Sequence, residues 1–137
     1  MEGKVLMIDD DKEYTALMSL YLRKKAYEVV SASNGKDGIE KALAERPDII
    51  ILDVMMTALN EGIETALEIK RTDGIKHIPI VLVTGVSKEM SLPFKMEADR
   101  DILPAEIVLE KPISPEKLLK TIKDVLNANY CRKMRLS

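Results

Sequence analysis

Four stretches of this chain carry side chains suited to chemistry: Asp9-Asp10-Asp11, Asp53, Thr84 and Lys111-Pro112. Each stands at the end of a short aliphatic, β-branched run. Carboxylates crowded together repel one another, and either take up protons or bind a cation. A hard divalent ion such as Mg²⁺ prefers oxygen ligands at about 2.0–2.1 Å and keeps water in its remaining positions. Held there, such an ion draws a phosphate toward the site and shields it from a negative nucleophile. A lysine ammonium and a threonine hydroxyl can hold the other phosphoryl oxygens, and charge stabilisation is most of what phosphoryl transfer requires. An aspartate can itself be the nucleophile and form an acyl phosphate.

Each piece also has a plainer reading. Asp11 can cap the helix that follows, Thr84 can be a turn hydroxyl, and Lys111 can be a solvated charge. Asp9-Asp10 alone is weak evidence for a metal. Only the set, with every member at a strand terminus, points to phosphoryl chemistry. Other reactive residue types offer less: His77, the single histidine, precedes a strand and reads as a surface or loop residue. Met55 and Met56 belong to eight methionines whose usual use is filling core gaps, and Cys131 has no partner cysteine.

The elements that must position these residues follow from apolar spacing. Val5–Ile8, Tyr27–Ala32, Ile49–Leu52, Ile78–Val83 and Ile107–Leu109 are short, β-branched-rich runs, as expected of strands covered on both faces. Helix-period stripes lie between them: Tyr14, Leu17, Met18 and Tyr21; Ile39, Ala42 and Leu43; Ile63, Ala66 and Leu67; and Leu118, Ile122, Val125 and Leu126. Asn34-Gly35 separates the second strand from its helix, Pro47 stops that helix, and Ser114-Pro115 reads as an N-cap and first helical residue. A further helix is expected within Pro93–Leu103. Short strand–helix connections imply parallel strands with right-handed crossovers, hence a doubly wound α/β sandwich. In such sheets ligands bind beyond the carboxyl ends of the strands, where the four stretches fall.

Length and charge bound the rest. A β/α unit uses roughly 25 residues, so five of them nearly fill the 137-residue chain. One domain over residues 1–129 with a short tail at 130–137 is expected, without room for a second output domain. The net charge of −2 lacks the basic excess of a nucleic-acid binder. No apolar run approaches the ~20 residues of a membrane span, and no signal-peptide pattern opens the chain. With one cysteine in 137 residues, the expectation is a cytoplasmic protein.

Ile8-Asp9-Asp10-Asp11, Leu52-Asp53-Val54-Met55-Met56, Val83-Thr84-Gly85 and Glu110-Lys111-Pro112 together resemble the receiver domain of two-component response regulators, over about Lys4 to Asn129. The resemblance implies a flavodoxin-like, five-stranded parallel sheet of order 2-1-3-4-5 flanked by five helices. It implies Asp53 as phosphoryl acceptor and Mg²⁺ held by Asp10, Asp53 and the Met55 backbone carbonyl, with Asp9 acting through water. Lys111 is then the partner of carboxylate or phosphoryl oxygens, Thr84 the reporter of the phosphoryl group, and the Lys111–Pro112 bond cis. The implied protein is a stand-alone phosphoacceptor switch, not an enzyme beyond its own phosphorylation and dephosphorylation. Its partners are a sensor histidine kinase or phosphotransfer protein and an unidentified downstream protein, and the family pattern allows a homodimer.

Three features depart from that pattern. Thr57 stands where the family usually has proline, and the stretch from Asp53 to Gly62 is about one residue longer than usual. Val108 replaces the aromatic residue often found three positions before the lysine. Thr84 and Lys111 lie 27 positions apart (84 to 111), a longer interval than usual, so the 87–105 segment is expected to remodel a partner-recognition face. Two other functions fit parts of the sequence. One is a degenerate, phosphorylation-independent interaction module. The other is a haloacid-dehalogenase-type phosphatase built on Asp9-x-Asp11, for which the further acidic pair expected after the lysine is missing.

Overall fold

The computed structural model describes residues 2–54, 61–85, 105 and 107–136, with side chains through residue 128. Five strands, β1 (Gly3–Ile8), β2 (Tyr27–Ala32), β3 (Ile49–Asp53), β4 (Ile80–Thr84) and β5 (Ile107–Glu110), form one sheet in the order β2-β1-β3-β4-β5. All four neighbouring pairs are parallel. The helices among the described residues are α1 (Lys12–Lys24), α2 (Gly35–Glu45), α3 (Glu61–Arg71) and α4 (Pro115–Leu136). The helix expected within Pro93–Leu103 lies outside the described residues, as does all of the 87–105 segment except residue 105. The last helix runs to Leu136, past residue 129 where the sequence suggests a tail.

The continuous apolar runs are explained by burial on both faces. Strand side chains alternate with a period of two, and here each half of the alternation enters a different core. Val5, Met7, Ile49, Ile51, Val81 and Val83 pack with Met18 and Leu22 of α1 and with Leu118, Ile122 and Val125 of α4. Leu6, Ile8, Ile50, Leu52, Ile80 and Leu82 pack with Ala42 of α2 and with Ala66 and Ile69 of α3. A strand with one wet face would need every second residue polar.

Helix ends fall where the local chemistry puts them. The Asp11 side chain accepts the Tyr14 N–H at 3.1 Å, and Asn34 accepts the Asp37 N–H at 2.9 Å. Ser114 Oγ accepts the Lys117 N–H at 3.1 Å ahead of Pro115. These are N-caps that satisfy otherwise orphaned donors. At the other end of α2, Arg46 adopts a left-handed conformation at φ 49° and Pro47 prevents continuation.

Two of the expected stripes are corrected. On α1 the buried set is Thr15, Met18, Ser19 and Leu22, whereas Leu17 is 59% exposed. The helix lies with Tyr14 and Tyr21 only flanking its core, so the buried arc extends toward Thr15 and Ser19 and leaves Leu17 outside. On α2 the buried residues are Gly35, Gly38 and Ala42, and Leu43 is exposed. A Cβ at Gly38 would fall on the Ile8 side chain. Small residues thus let α2 approach the sheet closely; Ile39 packs against that core as expected, and Leu43 alone of the stripe is turned aside. No helix among the described residues is long and apolar enough to cross a membrane.

Candidate functional site

Three main-chain hydrogen bonds, each just past a strand end, hold the site residues in place. Asp9 N–H donates to the Ala32 carbonyl at 3.0 Å, Val54 N–H to Val83 at 2.8 Å, and Lys111 N–H to Thr84 at 2.7 Å. Asp53 pairs with Val83 and Thr84 with Glu110 across the ladder. Parallel, in-register strands therefore deliver Asp9, Asp53, Thr84 and Lys111 to one edge. Lys111 precedes a cis bond to Pro112, as expected from the resemblance.

Asp9, Asp10 and Asp53 each bring a carboxylate oxygen within 4.8 Å of the others. Asp9 and Asp53 are buried, at 5% and 4% exposure, while Asp10 is exposed. Lys111 Nζ lies 3.1 Å from Asp9 Oδ2 and 3.7 Å from Asp53 Oδ2. Burial of a carboxylate is expensive without a compensating charge, and the ammonium supplies one. Burial also pulls the Lys111 pKa down, but the charges of Asp53 and Asp9 and the hydrogen bond to Asp9 outweigh it, so the net direction is up. Against one ammonium, three carboxylates leave two negative charges, the complement of one divalent cation. Their hard oxygen donors suit Mg²⁺. The remaining expected ligand, the Met55 carbonyl, and Thr57 lie outside the described residues.

Asp11 stands apart from this cluster: it caps α1, and its own N–H donates to Asp9 Oδ1 at 2.9 Å. That removes the second strand-one carboxylate a haloacid-dehalogenase reading requires. Thr84 is buried at 6% exposure at the end of β4. Val108 is half-buried against the core on the α2–α3 side.

Two residues that matter here were not singled out by sequence reasoning. Gly62, in the first turn of α3, is packed so tightly that a Cβ would fall on the Asp53 carbonyl oxygen. Tyr14 lies with its ring centroid 4.7 Å from Lys111 Nζ, and burial pushes its phenol pKa up. The available signal for Tyr14 was its position in the first turn of the helix leaving the acidic cluster, a turn that must begin at the same sheet edge.

Comparisons with known proteins agree with this geometry. PilH of Pseudomonas aeruginosa is 32% identical over 125 residues, covering 90% of this chain and 98% of that protein. The alkaline phosphatase synthesis transcriptional regulatory protein PhoP of Bacillus subtilis is 31% identical over 126 residues, 92% of this chain, which spans about half (49%) of that relative's length. The structure of the chemotaxis protein CheY4 of Vibrio cholerae superposes with a TM-score of 0.76 at 32% identity, covering 90% of this chain and 98% of that one. The sequence model of the response regulator receiver domain matches residues 5–123. With the five-stranded order, the acidic cluster and the strand-end lysine all in place, this chain belongs to the response regulator receiver domain family, whose role is phosphorylation-based signalling.

Proposed function

We propose that Asp53 accepts a phosphoryl group from the phosphohistidine of a sensor kinase or phosphotransfer protein, and that the protein signals through changed binding to a downstream partner. The observation that carries this reading is the buried Asp53 carboxylate, clustered with Asp9 and Asp10 and faced by the Lys111 ammonium at 3.7 Å. An Asp53 oxygen attacks phosphorus, the new O–P bond replaces the P–N bond, and the imidazole leaves as the neutral base after taking a proton. Water later attacks phosphorus, releasing inorganic phosphate and restoring the carboxylate. Lys111 neutralises the oxygens that gather charge during both steps, and Thr84, one residue past the strand partner of Asp53, reaches toward the phosphoryl group. Asp9, Asp10 and Asp53 are the side chains that would hold Mg²⁺, with the Met55 carbonyl as a further ligand. The ion, when bound, would neutralise the charge carried by the incoming phosphoryl oxygens.

Incubation with Mg²⁺ and acetyl phosphate, followed by intact mass measurement, tests this directly. The wild type is expected to gain a phosphoryl adduct that Asp53→Asn does not form. Failure of the wild type to label, under conditions that label a control receiver, would leave the phosphorylation-independent interaction module as the better reading.

A further inference from the structure

The Tyr14 ring and the Lys111 ammonium come from distant parts of the chain, yet Nζ stands 4.7 Å from the ring centroid. The ammonium is therefore bounded by three groups: that ring, Asp9 Oδ2 at 3.1 Å and Asp53 Oδ2 at 3.7 Å. A lysine head is a strongly hydrated point charge on a flexible stem, without the preorganised fork of a guanidinium. Two carboxylates alone leave it free to swing between them or outward to water. An aromatic face attracts a cation within about 6 Å of its centroid, and a rigid ring narrows the arc through which this head can move. The other such pair among the described residues, Tyr21 with Lys25 at 5.6 Å, joins neighbours one turn apart on a helix surface and touches no part of the site. The Tyr14 hydroxyl is buried and finds no hydrogen-bond partner among the described residues. The ring face, not the hydroxyl, is thus what this position contributes.

We propose that Tyr14 is a positioning residue that holds the Lys111 ammonium over Asp9 and Asp53, ready for incoming phosphoryl oxygens. The role rests on the reading of Asp53 as phosphoacceptor and extends it to a side chain outside the acidic, hydroxyl and lysine set. A spectroscopic test needs no phosphate. In protein labelled with ¹³C at the lysine ε-carbons, the Lys111 signal is identified by its loss in Lys111→Arg. Ring shielding is expected to displace its ε-protons upfield in the wild type and in Tyr14→Phe. In Tyr14→Leu they should return to the position of exposed lysines. In parallel, the rate of adduct formation from acetyl phosphate should fall roughly three- to tenfold in Tyr14→Leu, the size expected of one such contact, with Tyr14→Phe restoring it. Thermal melting of both variants identifies a Leu variant that has simply unfolded, and loss of rate in a folded Tyr14→Phe would overturn the proposal. So would an undisplaced Lys111 signal in the wild type, or a Leu variant that keeps both signal and rate. A wild type with the displaced signal but no adduct would instead overturn the phosphoacceptor reading, and the positioning role with it.

Discussion

At the scale of single residues, the site is a problem in charge. Asp9 and Asp53 are buried beside each other because Lys111 reaches both, at 3.1 and 3.7 Å. Removing one partner of a buried ion pair leaves an uncompensated charge, at a cost of about 3–5 kcal/mol when the pair is fully enclosed. Lys111 keeps 23% of its side-chain exposure, so a smaller loss, about 2 kcal/mol, is expected for Lys111→Met in Mg²⁺-free buffer. A divalent cation would replace the missing charge. Addition of Mg²⁺ should therefore raise Tm more in Lys111→Met than in the wild type, because ligand stabilisation grows with affinity. Adduct formation should still fall by about 10²-fold, as for loss of one preorganised electrostatic group. Equal Mg²⁺ responses in the two proteins would contradict this account. The acidic residues, Thr84 and Lys111 were legible in the sequence because strand-end positions are countable. Tyr14 was not, since an aromatic in a helix reads as core until the partner strand is placed beside it.

At the scale of elements, α1 shows how far spacing can be trusted. The apolar pattern identified the helix and its beginning after Asp11, but assigned Leu17 to the core, where the structure leaves it 59% exposed. Spacing alone weighs only hydrophobicity, whereas burial depends on how the helix is rotated against the sheet and α4. Leu22, fully buried, and Leu17 separate the two views. Leu22→Ala is expected to cost about 2–5 kcal/mol in urea unfolding. Leu17→Ala should stay within about 0.5 kcal/mol of the wild type. Comparable losses at both positions would mean that the helix is rotated otherwise. The same lesson holds for α2, where Gly35 and Gly38 face inward and Leu43 does not. Small residues are silent in a hydrophobic pattern, yet they set how closely a helix approaches.

At the scale of the whole molecule, four groups on different elements, Lys4, Tyr14, Tyr27 and Lys111, share one direction of titration shift. Lys4, through its bond to Glu45, and Lys111, through Asp53 and Asp9 against the opposing effect of burial, are raised above 10.5. Tyr14 and Tyr27 are raised above 10.0 chiefly by burial. A raised folded-state pKa means that the native protein keeps its proton where the unfolded chain has released it. The stability these groups provide is complete below their ordinary values and lost as pH rises through the folded ones. Thermal melts between about pH 8 and about pH 11 should show Tm falling on the alkaline side, more shallowly in Tyr27→Phe. A Tm that holds level across that range would refute the linkage.

The sequence by itself determined the strand runs, their parallel connection and the arrival of Asp9, Asp10, Asp53, Thr84 and Lys111 at one edge. Those follow from local rules: doubly buried strands must be apolar throughout, short β/α connections force parallel order, and caps and prolines end helices where they stand. Tertiary structure decided which face of each helix is buried, that Asp11 serves a helix and not the acidic cluster, and that Tyr14 covers Lys111. The helix faces and the Tyr14–Lys111 contact join segments far apart in the chain, set by how packed layers rotate and approach; the Asp11 cap is local, and the structure only chose it over the acidic cluster, an alternative the sequence had left open.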